Sequence, residues 1–338
     1  MPPAWDTPFT RAVGCTVPLQ QAGFGSSLNV ALAAAVGGAG GLGMLGGTLG
    51  DAAVLAAACD EYEALAGGAP VGVNFVEPFF DRDRQMGVLA VAAERCAVVE
   101  FFYGEPDPAL VEAIHAGPAL AAWQVGSVEE AVRAEAAGVD VVVLQGIEAG
   151  GHVRATRGLW PMLAETLDLV GVPVVAAGGI SSPRAMAAAL AAGAAAVRLG
   201  TRFVAAAEAD FHRDYKALLV EAEGDATVYT ERFRELWPDA PHRVLRRSIA
   251  AAETGEGDTV GTMSAGAERI DVPRFAGFAP VADAEGDIEA MACFAGEGVG
   301  SIHAIRPAAE IVAEFSSEAA ALLRAAVPYG PVASKRNS

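Results

Sequence analysis

Short apolar segments alternate with alanine-rich segments of helical length through the first two-thirds of the chain. Several of the short segments are continuously apolar, as parallel strands covered on both faces are. The candidate strands are residues 17–22, 42–45, 71–75, 97–101, 119–125, 139–144, 172–176 and 195–199. Eight strand–helix units in succession predict an α/β fold, a closed (β/α)8 TIM barrel, with a doubly wound open sheet as the alternative.

Two of the intervening segments begin with helix-start signals. Ser127 is followed three residues later by Glu130, the pattern of a capping box. Ser182 is followed by Pro183, which suits the first turn of a helix. Both signals place helices directly after predicted strands, as the barrel requires.

The pattern changes after Phe203. Residues 208–300 are richer in charge and in glycine-containing linkers, and no series of strands is visible there. We therefore predict a barrel domain at 1–207 and a smaller, mainly helical domain at 208–300, inserted before the C-terminal helix. Residues 301–327 are predicted to hold that helix, from Ala308, packed on the barrel, and 328–338 a frayed tail.

Composition excludes several classes of protein. Hydrophobic residues make up 53% of 338 residues, enough for a sizeable core, and the net charge of −19 argues against nucleic acid and anionic membranes as partners. Within the uncharged run at 12–50, the apolar part at 28–47 is mostly alanine and glycine, which predicts a buried segment and no membrane span. The four cysteines lie far apart without a Cys-x-x-Cys pair, so we expect a reduced, cytoplasmic protein without a metal site.

Functional residues of such a barrel lie where strands end. Ala22, Gly23 and Phe24 follow the first strand, where small residues either admit a flat ligand or serve a turn. Asn74 and Gln124 end two apolar strands, and each amide needs a partner, either a neighbouring loop or a ligand ring.

His152 is the strongest catalytic candidate. The strand predicted at 139–144 runs into a loop that begins with Gln145, and His152 comes directly after the paired glycines Gly150 and Gly151 of that loop. Imidazole is the side chain best suited to exchange protons near neutral pH. The alternative is a structural histidine that caps a neighbouring loop. The other four histidines are expected to be structural or solvated.

The ends of the last two strands predict a phosphate site. Gly178 and Gly179 follow one strand, and Gly200 and Thr201 follow the next, leaving backbone amides and a hydroxyl accessible. Arg202 either adds charge there or pairs with a surface carboxylate. Neither a Gly-x-Gly-x-x-Gly nor a Gly-Lys-Ser/Thr motif opens a helix, so a monophosphate-bearing cofactor fits better than a dinucleotide.

These motifs resemble those of the nitronate monooxygenases, once called 2-nitropropane dioxygenases. The resemblance covers nearly the whole chain in order, and FMN-dependent enoyl-carrier-protein reductases and quinone reductases share part of it. The matching segments are Gln-Gly-Ile-Glu-Ala-Gly-Gly-His at 145–152, Ala-Ala-Gly-Gly-Ile at 176–180, Leu-Gly-Thr-Arg-Phe at 199–203, Ala-Gly-Glu-Gly-Val-Gly at 295–300 and Pro-Ala-Ala-Glu at 307–310.

The resemblance implies an FMN enzyme that oxidises alkyl nitronates with O2 to a carbonyl compound and nitrite. It implies His152 as the catalytic residue, acting as a base or orienting the charge of the substrate. It also implies the cofactor-binding set Ala22, Gly23, Phe24, Asn74, Gln124, Gln145, Gly150, Gly151, Gly178, Gly179, Gly200 and Thr201. The expected partners are a small-molecule substrate and O2, with a homodimer as one option.

One departure from the family pattern concerns the wall that would face the flavin ring. The first strand of the family usually ends in Ala-Pro-Met, and here Ala22-Gly23-Phe24 stands instead. The alternatives to nitronate oxidation are an NAD(P)H-dependent FMN reductase acting on an enoyl thioester or a quinone, a flavin-binding protein without turnover, and a barrel enzyme without flavin that binds its substrate at the phosphate site.

Overall fold

The structure is a computed structural model that describes residues 5–25, 27–47, 50–266 and 268–326. The predicted tail at 328–338 lies outside the described residues. The strands, in chain order, are β1 Leu19–Gln21, β2 Gly43–Gly46, β3 Val71–Val76, β4 Val98–Phe102, β5 Leu120–Val125, β6 Val141–Gln145, β7 Gly151–His152, β8 Val174–Ala177, β9 Ala196–Leu199, β10 Thr227–Thr230, β11 His242–Leu245, β12 Thr259–Ala265, β13 Glu268–Pro273 and β14 Glu285–Gly286.

Helices follow most of the strands. They are α1 Pro8–Val13, α2 Val30–Gly38, α3 Ala52–Ala66, α4 Arg82–Arg95, α5 Pro108–His115, α6 Val128–Ala136, α7 Leu159–Leu169, α8 Pro183–Ala191, α9 Thr201–Val204, α10 Arg213–Glu221, α11 Arg246–Thr254 and α12 Ala308–Ala326, with 3₁₀ turns at Glu77–Phe79 and Glu297–Ser301. No helix among the described residues is both long and apolar enough to cross a membrane.

Eight parallel strands form the predicted TIM barrel. They pair in the order β1-β9-β8-β6-β5-β4-β3-β2, and a bridge between Gln20 and Leu42 brings β1 beside β2 and closes the ring. Each of the eight barrel strands begins and ends within two residues of the corresponding predicted strand. The barrel is therefore confirmed over the open-sheet alternative.

Two separate apolar clusters hold the barrel together. One lies inside the cylinder, where Met44, Val98, Val143 and Val175 meet, and Phe9 of α1 packs into the same cluster. The other fills the space between the strands and the surrounding helices. Because side chains alternate along a strand, a single continuously apolar strand supplies both clusters.

The helix-start predictions are confirmed. The Ser127 hydroxyl accepts from the Glu130 backbone N–H at 3.1 Å and opens α6. The Glu130 carboxylate accepts from the Gly126 N–H at 2.8 Å, one residue earlier than a capping box requires. Ser182 caps α8 at the Ala185 N–H, and Pro183 is its first residue.

The expectation of a mainly helical region at 208–300 is corrected by the structure. Its described residues form two α-helices, α10 and α11, and also five strands, β10 to β14. These strands form two antiparallel sheets, β10-β11-β7 and β13-β12-β14. Of these strands, β12 and β13 are partly exposed, so they lack the continuous apolar runs that mark the barrel strands.

The last helix, α12, begins at Ala308 as predicted and packs against α2 and α8. The predicted domain boundaries at 207/208 and 300/301 stay predictions. What the fold does show is that β7, which carries His152, belongs to a sheet whose other two strands come from the later region.

Candidate active site

A cavity of about 480 Å³ opens at the carboxyl ends of the barrel strands. Two groups of residues surround it. We call residues 22–24, 74, 124, 145, 149–152, 177–181, 198, 200 and 201 the floor, and residues 235–237, 263–265, 270 and 277–279 the roof. The floor includes every residue predicted to bind the cofactor or to act in catalysis: Ala22, Gly23, Phe24, Asn74, Gln124, Gln145, Gly150, Gly151, His152, Gly178, Gly179, Gly200 and Thr201.

The loop that carries His152 is held from several sides. The Gln145 amide donates to the His152 carbonyl at 3.0 Å and accepts from the Arg154 N–H at 3.0 Å. The Glu148 carboxylate accepts from the Leu159 N–H at 2.9 Å, at the start of α7. Gln145 borders the cavity, but its amide is already engaged at both ends in positioning the histidine.

The region after the barrel fixes the same loop from the other side. His152 pairs with His242 of β11, and the Val153 N–H donates to the Pro241 carbonyl at 2.8 Å. Arg243 donates to the Ile147 carbonyl at 2.9 Å. The geometry of the candidate catalytic residue therefore depends on strands that the sequence did not predict.

The His152 ring lies in an aromatic environment. The Trp237 ring centroid is 4.0 Å away, the Phe294 centroid 5.4 Å and the His242 centroid 5.5 Å. The Nε2 atom is buried and has no hydrogen-bond partner among the described residues. Burial, and then the neighbouring His242, lower the pKa of His152 to about 3, so its imidazole is neutral at pH 7.

His242 has a structural role, as expected. Its Nδ1 lies 3.0 Å from the Ala240 carbonyl and its Nε2 accepts from the Phe233 N–H at 3.1 Å. A ring that donates from Nδ1 and accepts at Nε2 is neutral, and burial lowers the pKa of His242 in agreement. These two bonds hold both ends of the segment that carries Trp237.

Trp237 is a site residue that the sequence did not reveal. Its ring centroid lies 4.7 Å from that of Tyr103 and 4.8 Å from that of Phe79, besides the contact with His152. It comes from an irregular segment between β10 and β11, and no motif marks it. Only the folded chain brings it to the histidine.

A buried ion pair under the floor was also missed. Glu100 of β4 and Arg198 of β9 are 0% and 6% exposed and bind each other inside the barrel. Arg198 also donates to the Gln124 side-chain oxygen, and Glu100 accepts from the Asn74 amide at 2.7 Å. A signal was present, since a charged residue stands within each of two otherwise apolar strands.

The structure explains the residues at the end of the first strand. A Cβ atom at Gly23 would lie 2.5 Å from the Asn74 Cβ, so a larger residue does not fit there without movement of β3. The Phe24 ring packs edge-on against Phe211 at 5.0 Å. Gly23 and Phe24 thus bring the first strand close to Asn74 and anchor it to the later region.

Arg202 does not supply charge to the cavity. It is 6% exposed, lies outside the cavity wall and donates to the Ala205 carbonyl at 3.5 Å. Neither expectation for it is met, because it is buried behind the strand end and is not a surface residue. Thr201 does face the cavity, and its hydroxyl accepts from the Gly296 N–H at 3.0 Å, which leaves the hydroxyl proton free to donate.

Comparison with known proteins identifies the family. A family model described as Nitronate monooxygenase matches residues 7–318. The chain is 36% identical over 332 residues to nitronate monooxygenase npaC of Metarhizium robertsii, covering 88% of this chain and 89% of the relative. The chain belongs to the nitronate monooxygenase family.

Solved structures agree with this assignment. FabK from Thermotoga maritima superposes with a TM-score of 0.78 and 27% identity over 96% of this chain and all (100%) of that one. Nitroalkane oxidase from Streptomyces ansochromogenes gives a TM-score of 0.75 and 28% identity over 95% of this chain and 100% of that one. This member of the nitronate monooxygenase family is a flavin-dependent oxidoreductase.

The cavity fits a flavin by its own chemistry. It offers an unpartnered buried imidazole nitrogen, amide side chains on β3 and β5, and a mostly apolar wall. Flat apolar rings with a few polar edges are bound in sites of this kind. Within the part of the chain that the structure describes, no cluster of His, Cys, Asp or Glu could hold a metal ion.

Proposed function

We propose that the protein binds FMN and uses O2 to oxidise alkyl nitronates to carbonyl compounds and nitrite. The observation that carries the proposal is His152 in the cavity of a chain from this family, a neutral imidazole whose Nε2 has no hydrogen-bond partner in the described part of the chain. Bound FMN would supply the two-electron acceptor and the reaction with O2.

The floor would hold the cofactor. Gly178, Gly179, Gly200 and Thr201 would bind the phosphate through backbone N–H groups and the Thr201 hydroxyl, as the last two strand ends of such barrels commonly do. The ring would lie along seven other residues of the floor: Ala22, Gly23, Phe24, Asn74, Gln124, Gly150 and Gly151. Gln145 would contribute by positioning the histidine loop.

His152 would handle the proton and the charge of the substrate. A nitronate is already a carbanion and needs no base, whereas a neutral nitroalkane must first lose a proton from its α-carbon. A neutral imidazole can accept that proton. The negative charge that results would raise the pKa of His152 from its low value, so the proton would stay on the ring beside the anion.

The aromatic neighbours would keep water away from this exchange. Trp237 and Phe294 cover the imidazole on two sides, and the roof supplies Met263, Ile270 and Phe278. A dry site strengthens the attraction between an imidazolium and a nitronate. A cytoplasmic location and a homodimer are further expectations of this proposal.

The deciding experiment compares two reductants. The purified protein should show the visible spectrum of a flavin, and anaerobic mixing with a nitronate should bleach it rapidly. Mixing with NADH or NADPH should bleach it far more slowly. Rapid bleaching by NAD(P)H alone would instead identify a reductase, and a colourless protein that takes up no FMN would contradict the proposal.

Substitution of His152 tests the proton transfer. In His152→Gln, turnover of neutral nitroalkanes should fall by about a hundredfold or more, and turnover of preformed nitronates should fall much less. His115→Gln is the matched control, because His115 is half-exposed on α5 and pairs with Asp140 away from the cavity. Equal losses with both substrate forms would show that His152 is not the base.

A further inference from the structure

The barrel interior contains an ion pair that apolar packing does not require. Glu100 and Arg198 project from strands on different sides of the cylinder, and both are almost fully buried. Removing two charges from water costs several kcal/mol for each ion, and an apolar pair of similar volume is often at least as stable. The hydrogen bonds of Glu100 and Arg198 indicate a role other than stabilising the fold.

Each charge holds one amide side chain at the cavity border, Asn74 in one case and Gln124 in the other. The Glu100 carboxylate accepts from Asn74 Nδ2 at 2.7 Å. The Arg198 guanidinium donates to Gln124 Oε1. Gln20 packs against both charges, with its Nε2 3.3 Å from Glu100 Oε2 and its Oε1 3.4 Å from Arg198 Nε.

The chemistry of the two ions dictates which way each amide points. A carboxylate beside a guanidinium can only accept, so Asn74 must turn its NH₂ group toward Glu100. A guanidinium can only donate, so Gln124 must turn its oxygen toward Arg198. The orientation of each amide therefore follows from its charged partner, and it does not depend on distinguishing the amide nitrogen from the amide oxygen by shape.

The atoms left over face the cavity side. Asn74 Oδ1 remains as an acceptor and Gln124 Nε2 as a donor, and within the described chain neither has a side-chain or backbone partner in hydrogen-bond range. Asn74, Gln124 and Arg198 border the cavity, whereas Glu100 and Gln20 lie beneath it. The floor therefore presents one acceptor and one donor of fixed polarity.

We propose that the Glu100–Arg198 pair is a positioning device that sets the polarity of Asn74 and Gln124 for the pyrimidine edge of a flavin. That edge alternates carbonyl oxygens with the N3–H group, so it needs an acceptor next to a donor. The proposal rests on the proposed function, because it takes the flavin as the occupant. Glu100 and Arg198 act through the two amides, and neither is a catalytic residue.

The test measures flavin binding by the full chain freed of its flavin, with FMN and N3-methyl-FMN as the probes. The wild-type protein should bind FMN about tenfold more tightly than the methylated analogue, which lacks the N3–H donor. In Glu100→Met/Arg198→Met, both amides can rotate. The Kd for FMN should then rise about tenfold and the preference for FMN should fall to about threefold or less.

Two further variants keep the test decisive. Gln20→Met touches the same ion pair from beneath the floor and should keep the preference for FMN. Gln124→Glu still accepts from Arg198 but presents an acceptor to the cavity where a donor stood, so its Kd for FMN should rise about tenfold or more. If the double variant does not fold, judged by urea unfolding and circular dichroism, Gln124→Glu decides alone.

The outcomes separate this inference from the proposed function. If wild-type protein does not bind FMN, the proposed function fails. If it binds FMN, and the double variant keeps both the Kd and the preference, the positioning role is overturned. If Gln124→Glu bound FMN with the Kd of the wild-type protein, the donor role assigned to the Gln124 amide would be overturned.

Discussion

The floor and the roof of the cavity are built from different material. The floor combines glycine-rich strand ends with a buried ion pair and two amides, all attached to a hydrogen-bonded barrel. The roof is mainly apolar side chains from the irregular 231–239 segment, from the β12–β13 hairpin and from residues 277–279. Leu236 at its edge is 62% exposed.

This difference suggests a division of labour. A rigid floor with fixed polar groups suits a cofactor whose shape never changes. A roof of loop and hairpin side chains suits a substrate, because loops carry most of the variation in barrel enzymes. His152 lies where the two meet, since its loop leaves the floor and its ring packs on Trp237 of the roof.

Of the variants that test this comparison of floor and roof, Gly150→Ala has the largest expected effect, because it strains the floor. A Cβ atom at Gly150 would lie 2.5 Å from the Gly296 nitrogen, so the 146–152 loop and the 295–296 segment must separate. We expect a loss of about 2 kcal/mol in the free energy of unfolding and a rise of about tenfold in the Kd for FMN. Urea unfolding and flavin fluorescence titration measure both.

Gly87→Ala is the control for that change. Gly87 lies within α4, and a Cβ atom there would contact nothing within 4 Å. The variant should be about 0.5 kcal/mol more stable, as alanine favours a helix, with unchanged FMN binding. Normal FMN binding by Gly150→Ala would show that the contact between these two segments does not shape the cofactor site.

The second prediction concerns the roof. Trp237→Ala should leave the Kd for FMN within about threefold of wild type while changing the kcat/KM ratio of long-chain to short-chain nitronates by about tenfold. Because the Trp237 ring shields His152, its loss should raise the pKa of His152 from about 3 toward its ordinary value. An NMR titration of the imidazole measures that shift.

Phe79→Ala is the matched control, because Phe79 contacts Trp237 but has no ring contact with His152 among the described residues. It should leave the pKa of His152 near its wild-type value. If Trp237→Ala raised the Kd for FMN as much as Gly150→Ala does, the assignment of the floor to the cofactor and the roof to the substrate would be wrong.

The same division separates what could be predicted from the sequence from what could not. Strand periodicity and the glycines at strand ends are local signals. The barrel was therefore predicted correctly, and the candidate residues from Ala22 to Thr201 line the cavity, while their roles stay predictions. Trp237 reaches His152 only through the pairing of β7 with β11, across about 90 residues of chain, and local patterns carry no information about that pairing.

Glu100 and Arg198 are an intermediate case. Each was visible as a charge inside an apolar strand, but the two are 98 residues apart, and their pairing follows only once β4 and β9 belong to one closed barrel. Arg202 shows the opposite error: its place beside Gly200 and Thr201 suggested the cavity, and the short helix α9 turns its side chain into the core.

The smallest expected effect is the pH dependence of stability that His152 causes at the junction of floor and roof. In the folded protein its pKa is about 3, whereas in the unfolded chain it is about 6.5, so the unfolded state binds the proton first. The stabilisation is fully present above about pH 6.5 and is lost as the pH falls toward 3. Between pH 7 and pH 6, the free energy of unfolding should therefore fall about 0.7 kcal/mol more in wild type than in His152→Gln at equal flavin loading. Parallel curves for wild type and His152→Gln would mean that the roof leaves the His152 imidazole open to water.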